Sequence, residues 1–197
     1  MTICGSRYED KRHLSSIFLY LLLSSFVFFS CEAESNISHN YHCYFIFDTS
    51  LHPLPCQLTG ILGNSGHFCK VSTSLSQGVT HLKTIRNYDG ATEDVALSTA
   101  KESQINFALG ANNSLIIGTS SYDFTLKAYD GQCPNCLNDY SGINYPLTWK
   151  NNGQQLYCAK CGRSYDVNNG VVADGASGRQ LLMYMASYDG SVLRAWN

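Results

Sequence analysis

Two Cys-x-x-Cys pairs hold the residues of this chain whose types and spacing point to chemistry. Cys133 and Cys136 lie in Gln132-Cys133-Pro134-Asn135-Cys136, and Cys158 and Cys161 lie in Tyr157-Cys158-Ala159-Lys160-Cys161-Gly162. Residues 137–157 separate the pairs. Two residues between cysteines let both sulfurs turn to one side of a tight knuckle. Two facing knuckles then make a tetrahedral four-sulfur site with metal–sulfur bonds of about 2.3 Å. Such a set selects zinc, a single iron or an iron–sulfur cluster over hard cations. Gly162 suits the knuckle, where the backbone turns its N–H groups toward sulfur. Two disulfides are the competing reading. A bridge inside Cys-x-x-Cys is normally catalytic, and these pairs lack the strand-then-helix setting of such a site. The expected metal ligands are therefore Cys133, Cys136, Cys158 and Cys161.

Other chemistry is sparse. His39, His42, His52, His67 and His81 all lie upstream of the cysteines, and His39 and His42 read as part of a solvated tether. The chain shows no acid pair, Ser-His-Asp set, phosphate-binding glycine loop or HExxH motif, so no catalytic residue is assigned. Tyr140, Tyr145 and Trp149, between the knuckles, read as packing over the metal site, with an aromatic ligand surface as the competing reading. Only 14% of residues are charged and the formal net charge is -2. No basic patch follows a phosphate backbone, which argues against a nucleic-acid partner.

The first 30 residues read as a leader. Lys11-Arg12-His13 precedes an apolar run from Leu14 to Phe29, closed by Ser30-Cys31. This matches a secretory signal; a membrane span is the competing reading, weakened because a span needs about 20 apolar residues and this run is shorter and serine-rich. Cys31 sits where a bacterial lipoprotein signal places its lipidated cysteine. The alternative is ordinary cleavage after Ala33, which would release a soluble secreted or periplasmic protein. The expectation is a signal over 1–30, a tether over 31–42 and a lipid-anchored cell-envelope domain over 43–197, whose partner is the membrane. Cys43, Cys56 and Cys69 lack metal spacing and read as buried thiols or as one disulfide with a thiol left over.

The elements that must position the knuckles are strands. Cys43–Phe47, Phe68–Ser72, Val79–Ile85, Leu115–Gly118 and Phe124–Tyr129 are short β-rich runs, with Asn87-Tyr88-Asp89-Gly90 as a hairpin turn. After the second knuckle, Ser164–Val167, Gln180–Ala186 and Ser191–Trp196 continue the pattern. Residues 92–107 fit either a helix capped by Thr92 or loop and strand. Short strands separated by Gly and Asn turns imply an all-β antiparallel sandwich or barrel.

From about Leu115 onward the chain resembles the Rieske-like domain family. Ala128-Tyr129-Asp130-Gly131-Gln132-Cys133-Pro134 corresponds to the strand and first ligand loop. Cys158-Ala159-Lys160-Cys161-Gly162-Arg163-Ser164-Tyr165-Asp166 corresponds to the second loop, with Gly170 closing the turn. Both knuckles also resemble those of rubredoxin, in reversed order. The resemblance implies a β domain with a small two-knuckle metal-binding subdomain over about 130–172. Cys136 and Cys161 stand where that family has histidines, and Gly175-Ala176-Ser177-Gly178 lacks the family's prolines. Loss of both imidazoles removes the source of a Rieske cluster's high potential. The expected function is one structural zinc without catalysis. The alternative is electron transfer by a 2Fe–2S cluster or a single iron on the same cysteines, with an unknown redox partner.

Overall fold

A computed structural model describes residues 37–197, so the leader and the Cys31 lipidation reading lie outside the described residues. The strands are β1 (Cys43–Asp48), β2 (Phe68–Ser76), β3 (Val79–Arg86), β4 (Thr92–Leu97), β5 (Ala108–Leu109), β6 (Leu115–Thr119) and β7 (Leu126–Asp130). They continue as β8 (Leu147–Lys150), β9 (Gln155–Cys158), β10 (Ser164–Asp166), β11 (Val172–Asp174), β12 (Met183–Tyr188) and β13 (Val192–Trp196). Two short helices interrupt them, α1 (Gln57–Gly60) and α2 (Pro134–Asp139). The fold is all-β, as its composition implies.

Nine strands form one antiparallel sheet in the order β4-β3-β2-β6-β7-β12-β13-β1-β5, and four form a second in the order β11-β10-β9-β8. Period-two alternation sends neighbouring side chains of the large sheet into two different cores. Cys69, Val71, Leu115, Ile117 and Ala128 point into a first core with Cys43, Phe45, Phe47, Leu58, Leu82 and Leu193. Phe68, Ile116 and Tyr129 point the other way, into a second core with Leu147, Leu156, Tyr165 and Val167. Every residue of β6 is buried because both of its faces are covered. Full burial of Phe68 or Ile116 contributes about 1.5–3 kcal/mol each. The small sheet is thus held on the large one chiefly by apolar packing.

Polar struts fix its placement. Lys70 Nζ donates to the Leu147 carbonyl at 2.8 Å, and Trp149 Nε1 donates to the Ile85 carbonyl at 3.3 Å. Asn87 Nδ2 donates to the Gly153 carbonyl at 3.1 Å. Gly153 has φ +77, and any Cβ there would collide with the Asn87 backbone. Glycine is required at that approach.

Residues 92–107 contain no helix starting at Thr92. The Asn87–Gly90 turn brings Thr92 opposite Ile85, so the segment pairs with β3 as the edge strand β4. Leu97 is buried and Val95 packs against the first core, a spacing of two that fits a strand. Cys43, Cys56 and Cys69 are free, buried thiols. Burial, the largest influence on both, pushes Cys43 and Cys69 up to about 12. They are inert apolar fillers.

Candidate metal centre

Strand β7 delivers the first knuckle through a buried carboxylate. Asp130 Oδ1 accepts from the Gln132 N–H at 2.8 Å, and Oδ2 accepts from the Ala111 N–H at 2.7 Å. Burial raises the Asp130 pKa, and these donors, with Tyr184, offset part of the rise. Gln132 Oε1 accepts from the Tyr145 N–H at 2.6 Å, and Cys133 N donates to the Tyr145 carbonyl at 2.8 Å. Pro134 then opens α2 in its first turn, where a missing N–H costs nothing. That turn places Cys133 and Cys136 on one side.

The second knuckle joins β9 to β10. Cys158 N donates to the Arg163 carbonyl at 3.0 Å, and Gly162 N donates to the Cys158 carbonyl at 2.9 Å, with Gly162 at φ +74. Facing α2, the knuckle brings all four Sγ atoms within 4.8 Å of one another. Cys133 and Cys161 sulfurs are 3.6 Å apart, as are those of Cys136 and Cys158. A tetrahedron with bonds of about 2.3 Å sets its ligands about 3.8 Å apart. Two of the sulfur pairs already stand near that spacing, and the whole set is compact enough to close on a single ion. No histidine joins them among the described residues.

The surroundings suit a dense negative charge. Burial raises Cys133 to about 11, despite a hydrogen bond from Tyr165. Cys136 is driven up by burial and by the neighbouring sulfurs. Burial also acts upward on Cys161, but the Arg163 backbone N–H and guanidinium, with Cys133 and Cys136, outweigh it and bring Cys161 down to about 7. Cys133, Cys136 and Cys158 are buried, and Cys161 is half-buried. Tyr165 Oη lies 3.1 Å from Cys133 Sγ. A divalent ion would stabilise the thiolate forms of Cys133 and Cys136, which burial otherwise disfavours.

Three of the histidines named above serve elsewhere. His52 Nε2 meets Glu102 at 2.5 Å, His81 Nδ1 meets Asp94 at 2.6 Å, and His67 packs tilted against Tyr88 with ring centres 4.5 Å apart. Trp149 and Tyr145 pack against the second core. Tyr140 and Tyr145 also line an open cleft of about 530 Å³ beside Cys158 and Lys160. Lys160 Nζ sits 4.7 Å from the Tyr140 ring centre.

Sequence reasoning missed Asn135, Arg163, Tyr165 and Arg179 as parts of this site, and it set Gly175 to Gly178 against a family loop only by resemblance. Arg163 Nε and Nη2 donate to the Ala176 and Ser177 carbonyls at 2.9 and 3.1 Å. The one sequence signal available was the Arg-Ser-Tyr run directly after the second knuckle.

A family model described as Trm112p-like protein matches residues 132–170. That span takes in all four cysteines and strands β8 to β10, and amounts to 39 of the 197 residues. No curated protein and no solved structure matches the chain significantly. Fold and site together define a two-knuckle, four-cysteine ribbon that could hold one metal ion, carried on a larger antiparallel sheet.

Proposed function

We propose that this protein is a cell-envelope β protein that holds one zinc ion in a closed four-thiolate centre with a structural role. The observation that carries the reading is the mutual approach of all four sulfurs within 4.8 Å. Four protein ligands fill a tetrahedral zinc site and leave no open position for substrate, so the ion stabilises two loops without turning over a reaction. Cys133 and Cys136 hold it from α2, and Cys158 and Cys161 hold it from the turn between β9 and β10. A two-iron cluster divides four cysteines over two metals, which spreads opposite pairs further apart than one ion does. The compact sulfur set favours a mononuclear centre.

A single iron on the same sulfurs is the second reading, favoured by the rubredoxin-like knuckles. The Rieske-like organisation belongs to this proposal too, supported by a small sheet of knuckles lying on a larger sheet. Four sulfurs in place of two sulfurs and two imidazoles separate its chemistry from Rieske electron transfer. Export and lipid anchoring at Cys31 complete the reading, supported by the basic-then-apolar leader and the cysteine that closes it. Metal analysis of the full chain purified anaerobically under reducing conditions tests the centre. One zinc per chain and a colourless solution are expected. Bound iron with visible absorption that bleaches under dithionite would overturn the zinc reading. Labelled palmitate should enter the wild type and not Cys31→Ser; equal labelling of both would sink the anchor.

A further inference from the structure

One buried amide links the sulfur centre to a surface segment outside both knuckles. Asn135 is 5% exposed and sits between the two ligands of the first knuckle. Its Oδ1 accepts from the Arg179 N–H at 2.9 Å, and its Nδ2 donates to the Arg179 carbonyl at 3.0 Å. The pair imitates one rung of a β ladder between a side chain and residue 179. The remaining Nδ2 hydrogen goes to Tyr165 Oη at 2.9 Å. The two bonds to Arg179 fix the amide's orientation, since a flip would set donor against donor at its N–H and acceptor against acceptor at its carbonyl.

That orientation decides what the phenol does. Tyr165 Oη has one proton and already accepts from Asn135, so its proton is free to point at Cys133 Sγ, 3.1 Å away. From the other side, Arg163 holds the Ala176 and Ser177 carbonyls. Gly178 closes the contact: a Cβ there would run into the Asn135 amide and lie 3.0 Å from Arg163 Nε. The segment also lines an open cleft of about 410 Å³ with Val171 to Asp174.

We propose that Asn135 is a positioning residue that couples the four-sulfur centre to the surface segment 175–179. It aims the Tyr165 hydroxyl at Cys133 and pins Arg179, so loading the centre and ordering the segment are one event. The inference rests on the metal reading above.

The test uses the full chain loaded with Co(II), whose thiolate charge-transfer bands report on the sulfurs, and hydrogen exchange at residues 175–180. In the wild type, stripping the metal should speed exchange there about tenfold or more, leaving β1 and β13 protected. In loaded Asn135→Ala, the segment should exchange as in the stripped wild type, and the charge-transfer band should move. Arg163→Gln, which leaves Asn135 in place, should loosen residues 176–177 with a smaller change in the band. It serves also if Asn135→Ala fails to fold. A loaded Asn135→Ala with wild-type exchange and an unmoved band overturns the inference while leaving the metal reading intact. So does a loaded Arg163→Gln with wild-type exchange at 176–177. A wild type that takes up no Co(II) overturns both.

Discussion

Tyr184 Oη donates a 2.7 Å hydrogen bond to Asp130 Oδ2 at the point where the large sheet hands the chain to the first knuckle. The carboxylate is fully buried and, among the described residues, has no ion-pair partner; three neutral donors hold it. Its position on β7 fixes the exit of Gly131 and the start of the Cys133 turn.

Tyr184→Phe removes one of those donors and leaves part of a buried charge unanswered. The expected loss is about 1–3 kcal/mol, read as a lower urea midpoint at unchanged slope. Asp130→Asn should cost more, because its amide N–H must face an N–H or O–H donor. The pH dependence has a definite sign. The folded-state pKa of Asp130 is raised, so its favourable contribution is complete below the unfolded value and is lost as pH rises through the folded one. The stability gap between wild type and Asp130→Asn should therefore narrow as pH rises from the ordinary carboxylate range through the raised folded-state value. A gap that widens over that range would show that the donors outweigh burial.

Metal affinity should climb with pH for a related reason. Binding displaces the proton of every thiol that is protonated in the metal-free protein. Cys161, at about 7, ionises first, while Cys133, at about 11, keeps its proton through the neutral range. Below about pH 7 each ion therefore releases one proton more than above it. Competition with a colorimetric chelator between pH 6 and 9 should give a log-affinity slope that falls by about one near pH 7. A constant slope would mean that Cys161 is not the acidic member of the set.

The knuckles were legible because two cysteines two residues apart announce themselves locally. Strands β6 and β7 were legible for a similar reason, since Leu115-Ile116-Ile117 is a short apolar run and Leu126 to Tyr129 follows it after a polar turn. Strands β8 and β9 were not: Leu147 and Leu156 are single inward residues in four-residue strands, and Tyr140 to Trp149 read instead as loop. Helix α2 was hidden because Cys-Pro-Asn-Cys reads as a bare knuckle, although Pro134 is a helix-start signal. The supports of the site were least visible. Asn135 meets Arg179 across 44 residues and Tyr184 meets Asp130 across 54, and such pairings exist only once both sheets are assembled.

Removing the ion should affect the two cores unequally. The second core contains Cys133, Cys136 and Cys158, whereas the first contains no residue of either knuckle. Chelation should lower the apparent melting temperature by about 10 °C at zinc concentrations that otherwise saturate the site. Near-ultraviolet signals from Tyr165 and Trp149 should collapse, while amides of β1 and β13 stay protected. Cys136→Ser should reproduce the chelated state without chelator. Loss of β1 and β13 protection in step with the metal would mean that the sheets fold as one cooperative unit.

The seating of the small sheet can be probed apart from the metal. Gly153 and Gly78 both have positive φ, +77 and +81, so alanine strains the backbone at either. Around Gly78 a Cβ meets nothing within 4 Å, whereas at Gly153 it would strike the Asn87 backbone. Gly78→Ala should therefore cost about 1 kcal/mol, the conformational penalty alone. Gly153→Ala carries that penalty and must also push the β8–β9 turn off Asn87, whose Nδ2 bonds the Gly66 carbonyl at 2.9 Å as well as that of Gly153. A total of about 2–4 kcal/mol is expected. Urea unfolding of both variants in the zinc-loaded state isolates the close approach as their difference. Equal losses at the two sites would show that the turn yields freely and that the second core alone seats the small sheet.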